Sequence, residues 1–214
     1  MQKNISQAIQ AAVEAAPKRS FVETIDMSFT IRDVDLKNPA NRIQEEVRLP
    51  SGRGKETQIA MFASADAALK AKEAGITVID PTQIEELGGD KMKAKKMAKK
   101  YDYFLSEVPH MGLIGRYLGV VLGPRGKMPR PVPPNVDPGM IAKGLSSTVV
   151  VRSRDRVTFH ASIGTLSLST DELIENAMTV WTRVTNKLER GAGNIRSLYV
   201  KTTMGPSHKV EVIF

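Results

Sequence analysis

The chain contains no cysteine in 214 residues, which excludes disulfides, thiolate zinc sites and cysteine nucleophiles. That absence is compatible with a cytoplasmic location. Aromatic residues make up only 5 % of the sequence, so a sheet of aromatic side chains that stacks on nucleic-acid bases is not expected. Apolar runs are short. None approaches the roughly 20 residues needed to cross a bilayer. Lys3 near the start is followed by no long apolar stretch, so neither a secretory signal nor a membrane partner is expected. The three histidines, His110, His160 and His208, stand far apart. No HExxH, GxSxG, GxGxxG or Walker pattern occurs. The sequence therefore offers no catalytic residues, no metal ligands and no cofactor site, and an enzyme is not expected.

What is present is an ordinary globular composition, 41 % hydrophobic and 25 % charged, with a net charge of +8. Such a charge favours a polyanionic partner without identifying one. It also fails to choose a region, because residues 55–146 and the two flanking segments taken together each carry +4.

Two patterns alternate along the chain. Near the start, Ile5, Ala8, Ile9, Ala12, Val13 and Ala16 recur at helical spacing. Asn4 is the expected cap of this helix, with Gln7 three residues on, and Pro17 its stop. From 21 to 32 the odd positions carry Phe21, Ile25, Met27, Phe29 and Ile31, a period-two strand with one wet face. Ile43, Val47 and Leu49 repeat the pattern, as do Val157, Phe159, Ala161 and Ile163. Such strands suit an antiparallel sheet covered on one side. Ser169 or Thr170 can cap a covering helix whose stripe is Leu173, Ala177, Val180, Val184 and Leu188, with Gly191 and Gly193 beyond its end. Trp181 is expected in or beside this core.

The middle has short apolar runs without alternation: 59–62, 76–79, 103–105 and 120–122. These suit strands buried on both faces, with helices at 65–73, 82–87 and 90–100 between them. The expected fold class is therefore α/β. A discontinuous α+β terminal domain, residues 1–54 and 147–214, carries an antiparallel sheet covered by helices. A Rossmann-like parallel α/β domain, residues 55–146, is inserted into it. Two crossing strands would make a hinge.

Several segments carry possible chemistry. Lys91, Lys93, Lys95, Lys96, Lys99 and Lys100 form the densest basic run, either a phosphate contact or the solvated face of a helix. Gly123-Pro124-Arg125-Gly126-Lys127 is no Walker loop, since Val121 and Met128 break that pattern. It matches GxxG, as does 112–115, and Arg125 and Lys127 can reach phosphates from it. The alternative is a loop that closes against the other domain. Residues 129–135 must be extended or turning because of their prolines. Near the end, Lys201-Thr202-Thr203-Met204-Gly205-Pro206-Ser207 follows the run 198–200 and sits at a strand tip. Its hydroxyls both donate and accept, and Gly205 lets a partner approach the backbone.

Thr202-Thr203-Met204-Gly205-Pro206-Ser207, Phe21-Val22-Glu23-Thr24 and Leu122-Gly123-Pro124-Arg125-Gly126-Lys127-Met128-Pro129 together resemble the universal large-subunit ribosomal protein family of the side stalk, the L-one family. They lie in that family's order and at about its spacing, and the short C-terminus looks archaeal. The resemblance implies the same inserted-domain fold and a place in the large ribosomal subunit. It implies binding of large-subunit rRNA at the mobile stalk and assistance to the departure of exit-site tRNA. It also implies repression of the protein's own operon mRNA. Carried over by matching positions, the RNA-binding residues are Phe21, Glu23, Thr24, Ser197, Thr203, Met204 and Gly205, with His160, Lys201, Pro206, Ser207, Arg125 and Lys127 as further candidates. Glu23 would accept from a 2′-OH or a base amine, and Phe21 would press on a ribose or support the surface beneath it.

Overall fold

A computed structural model describes residues 1–212. In chain order the elements are α1 (Gln2–Glu14), β1 (Thr24–Ile31), β2 (Gln44–Arg48), β3 (Ile59–Phe62), α2 (Ala65–Glu73), β4 (Thr77–Ile79), α3 (Gln83–Gly89), α4 (Lys91–Lys100) and β5 (Tyr103–Glu107). There follow α5 (Met111–Leu122), β6 (Arg130–Val132), α6 (Pro138–Ser146), β7 (Thr148–Arg152), β8 (Thr158–Thr165), α7 (Thr170–Lys187), β9 (Ile195–Thr202) and β10 (Ser207–Val210). The chain divides into two compact units, Met1–Lys55 with Ser147–Phe214, and Glu56–Ser146.

In the first unit four strands pair antiparallel in the order β10-β9-β1-β8, and β2 pairs with β7. Alternation in β1 buries Ile25, Met27, Phe29 and Ile31, which meet Ile5 and Ile9 of α1 and Leu173, Val180 and Val184 of α7 in one core. Phe29 stacks on Phe159 at 5.2 Å and on Trp181 at 6.4 Å between ring centroids. Both long helices thus lie on one face of the sheet and leave the other open. Ser169, not Thr170, caps α7: its Oγ accepts from Glu172 N at 3.3 Å, while the Glu172 carboxylate accepts from Ser169 N at 2.8 Å. These two bonds satisfy orphan donors at the helix start. Within the stripe of α7, the buried Asn176 donates to the carbonyls of Gly52 and Ile163 and accepts from Ser51 N. It fastens the loop that leads out of this unit.

The start of α1 departs from the sequence reading. The helix begins at Gln2, and Asn4 sits inside it, donating to the Glu211 carbonyl at 2.8 Å instead of capping.

In the second unit four parallel strands run in the order β4-β3-β5-β6. Ala60 and Phe62 face one core, with residues of α3, α4 and α5; Ile59 and Met61 face another, with Ala71, Ala142 and Leu145 of α2 and α6. The α/β class with an antiparallel and a doubly covered parallel sheet is as expected. One strand is not. Residues 120–122 end helix α5, in which Ile114, Leu118, Val121 and Leu122 are buried at helical spacing while Val120 is exposed. The expected GxxG loop at 112–115 lies in the same helix. The fourth strand is β6, which tolerates Pro131 because it lies at the sheet edge.

Candidate nucleic-acid interface

The turn between β9 and β10 is built on neighbours that hold it from beneath. Thr203 donates both its backbone N–H and its hydroxyl to the Thr24 carbonyl, at 2.9 and 3.0 Å. Its hydroxyl proton is thereby committed, and the exposed oxygen is left to accept. Met204 N–H donates to the Glu23 carboxylate at 3.1 Å, and Arg19 Nε meets the same oxygen at 3.3 Å. Met204 itself is 61 % exposed. A Cβ on Gly205 would strike Thr202 Oγ1, so glycine is needed here for packing within the hairpin itself. Thr202 is fully buried.

Glu23 is only 2 % exposed. It continues the inward parity of Ile25 and Met27, and one residue before β1 it lies under the turn instead of on it. Its placement is that of a positioning group: the carboxylate orients Met204 and anchors Arg19. The parity of odd positions carried this signal, and the position's acidic character obscured it. Phe21 is the opposite case, 55 % exposed and outside β1, and Val22 beside it is also exposed.

Register places the other candidates of this unit on the open face. Lys201 lies between Ser207 and Asp26, and Asp26 pairs on its other side with Ser162. Tyr199 lies between Lys209 and Ser28, and Ser28 pairs with His160. Ser197 pairs with Thr30, which pairs with Thr158. Ser197, Lys201, Ser207 and His160 are therefore brought onto one surface with Thr24 and the turn at its end. From Ser197 to Thr203 the strip is about 20 Å long, at ~3.3 Å per residue. Tyr199 and Asp26 were not singled out from sequence, although the alternation of their strands places both outward. Asp26 is held above the ordinary carboxylate value, chiefly because burial disfavours its charge; His160 and Lys201 oppose the shift.

Arg125 and Lys127 lie in the second unit, and their side chains are engaged locally. Arg125 Nη1 donates to the Val121 carbonyl at 2.9 Å, and Lys127 Nζ donates to the carbonyls of Ala98 and Tyr101 at 3.0 and 2.7 Å. Both thus bond carbonyls at or near helix C-termini, where cations are favoured.

The carboxyl ends of the parallel strands are where an open α/β sheet would hold a nucleotide. Here Glu107 accepts from the backbone and hydroxyl of Ser64 at 2.9 Å and lies 3.2 Å from His110 Nε2. Asp80, nearby in charge terms to His110, is held low by its hydrogen bonds from Thr82. Two carboxylates at this end disfavour phosphate. Among the described residues no group of His, Asp and Glu is arranged to hold a metal ion, and no helix is long and apolar enough to cross a membrane.

Comparison with known proteins adds a family. The model described as the Ribosomal protein L1p/L10e family matches residues 9–206. The chain is 48 % identical over 203 residues to the large ribosomal subunit protein uL1 of Picrophilus torridus, with 95 % of each chain covered. It is 48 % identical over 204 residues to that of Archaeoglobus fulgidus, again with 95 % of each covered. The corresponding protein of Thermoplasma acidophilum is 45 % identical over 208 residues, covering 97 % of this chain and 96 % of the relative.

Proposed function

The chain belongs to the Ribosomal protein L1p/L10e family, whose members are structural and not enzymatic, and we propose that it binds large-subunit rRNA at the mobile side stalk through the open face and the β9–β10 turn of its first unit. The observation that carries this reading is the Thr203 hydroxyl. Its proton goes to Thr24, so an exposed, fixed oxygen presents lone pairs alone. A ribose 2′-OH is the donor that matches it, and the 2′-OH is what distinguishes RNA from DNA at a given site. Met204 and Phe21 add exposed apolar surface for a sugar or base face. Glu23 and Gly205 hold the turn in shape. Lys201 and Lys209 supply charge along the face, and His160 lies beside them on it. From family membership we extend the reading to assistance in exit-site tRNA release and to repression of the protein's own operon mRNA, with an RNA structure similar to the stalk as the shared ligand.

The test is a titration of a stalk rRNA fragment at low and high salt. Thr203→Val keeps the shape and removes the acceptor. An unpaired polar group at a dry interface costs roughly 1–3 kcal/mol, so affinity should fall about fivefold or more at both salts. Substituting deoxyribose at the target positions should weaken the wild type by a similar factor and Thr203→Val by less. Wild-type affinity in a folded Thr203→Val protein would remove the turn from the interface.

A further inference from the structure

Two basic segments of the second unit, read separately in the sequence, meet in the fold. The loop 123–127 lies beside α4, held there by the two bonds from Lys127 Nζ to Ala98 and Tyr101. Between them runs a groove of about 480 Å³ lined by Lys95, Lys96, Ala98, Lys99, Arg125 and Lys127. Five of its six residues are cationic and none is acidic.

The other lysines of α4 are disposed differently. Lys93 pairs with Glu86 at 2.7 Å, and Lys100 lies over the Tyr101 ring at 5.2 Å. Lys95, Lys96 and Lys99 have no ion pair among the described residues. Lys95 and Lys99 stand one turn apart, about 5–6 Å between Cβ atoms, a spacing comparable to that of successive phosphates on a strand. Arg125 is exposed, and one of its five N–H donors is bonded to the Val121 carbonyl. That bond fixes a guanidinium fork whose remaining donors suit phosphate. Lys127 is the positioning residue: burial lowers its pKa, Arg125 lowers it further and Asp102 opposes the shift. Asp102 acts on Lys127, and Asp90, at the start of α4, is held low in part by Lys96. Neither carboxylate lines the groove.

We propose that this groove is a second RNA contact, one that takes the phosphate backbone without regard to sequence. It is separate from the turn of the first unit and works by a different physics: point charges and counterion release, not neutral hydrogen bonds. It would add affinity and association rate for any RNA and leave selectivity to the other unit.

The experiment uses the full chain and a duplex RNA lacking the stalk structure, titrated over a range of salt. The variant Lys95→Gln/Lys96→Gln/Lys99→Gln/Arg125→Gln is compared with Lys70→Gln/Lys72→Gln/Lys91→Gln/Lys143→Gln, which removes equal charge elsewhere in the same unit. Each lost phosphate contact lowers the slope of log K against log salt by ~0.9. The groove variant should lose up to about 3.6 in slope, and the control less than about 1. Equal losses would assign the effect to net charge and overturn the proposal, as would no loss in either. Loss of polyglutamate binding with duplex RNA binding intact would assign the groove to an acidic protein segment and overturn it as well. The outcome is independent of the turn, because Thr203→Val on the stalk fragment at high salt reports that site alone.

Discussion

At the residue scale, position on or beneath the surface decides what each candidate does. Glu23 is the clearest case. If its role is to hold Met204 N–H, then Glu23→Gln keeps a carbonyl acceptor and should retain most RNA affinity. Glu23→Ala leaves a backbone donor without its acceptor, at roughly 1–3 kcal/mol of stability, and should weaken stalk RNA binding severalfold. Equal loss in both variants, measured by titration with denaturation curves alongside, would point instead to direct use of the negative charge. Asp26 makes the converse prediction. Its folded pKa lies above the ordinary 3.8, chiefly through burial. The folded state therefore holds this proton more tightly than the unfolded chain does. The stability gained by holding this proton is full below 3.8 and is lost as pH rises through the folded value. Asp26→Asn should then melt higher than wild type at neutral pH, with the difference vanishing in acid. It should also bind RNA more tightly, since it removes an anion from the open face. A variant that melts lower at neutral pH would mean that Lys201 and His160 outweigh burial.

At the element scale, the legible parts were those with a strong period. The stripe of α7 and the alternation of β1 could be read directly, and from them the one-sided sheet. The reading failed where another constraint was stronger than the local pattern. Residues 120–122 look like a buried strand because three apolar residues run together. The helical period that governs them spans Ile114 to Leu122 and is interrupted by glycines. Helix α6 was missed for the same reason, with Pro138 at its first position and glycines at 139 and 144. Of the candidate interface, the turn and its hydroxyls were legible from residue type. The burial of Glu23 and the outward Tyr199 required carrying the parity of a strand past the residues that stood out. The β9–β10 hairpin supports a prediction of its own. Gly205→Ala should disturb the turn, because the new Cβ meets Thr202 Oγ1. Ser169→Ala should cost about 1 kcal/mol through loss of the α7 cap and leave RNA affinity unchanged, since the cap lies among the elements behind the sheet. Chemical denaturation and titration of both variants check this. A hairpin variant with wild-type affinity would show that the turn's shape is dispensable.

At the scale of the whole molecule, the two units are separately packed. The chain leaves the first unit after Lys55 and returns at Ser147, and both ends are tied within that unit. The Gly54 carbonyl accepts from the hydroxyls of Thr165 and Ser167 at 3.1 Å, and Leu49 N donates to the Ser147 carbonyl at 2.8 Å. Among the described residues its core, from Ile5 to Val210, draws on none of the second unit. The first unit should therefore fold when residues 56–146 are replaced by a short glycine-rich link. The most direct test of the account is the affinity of that shortened chain for the stalk rRNA fragment at high salt, where phosphate contacts are screened. Affinity within a few-fold of the full chain, abolished by adding Thr203→Val, is the predicted result. A folded shortened chain that no longer binds would contradict it and place recognition in the second unit.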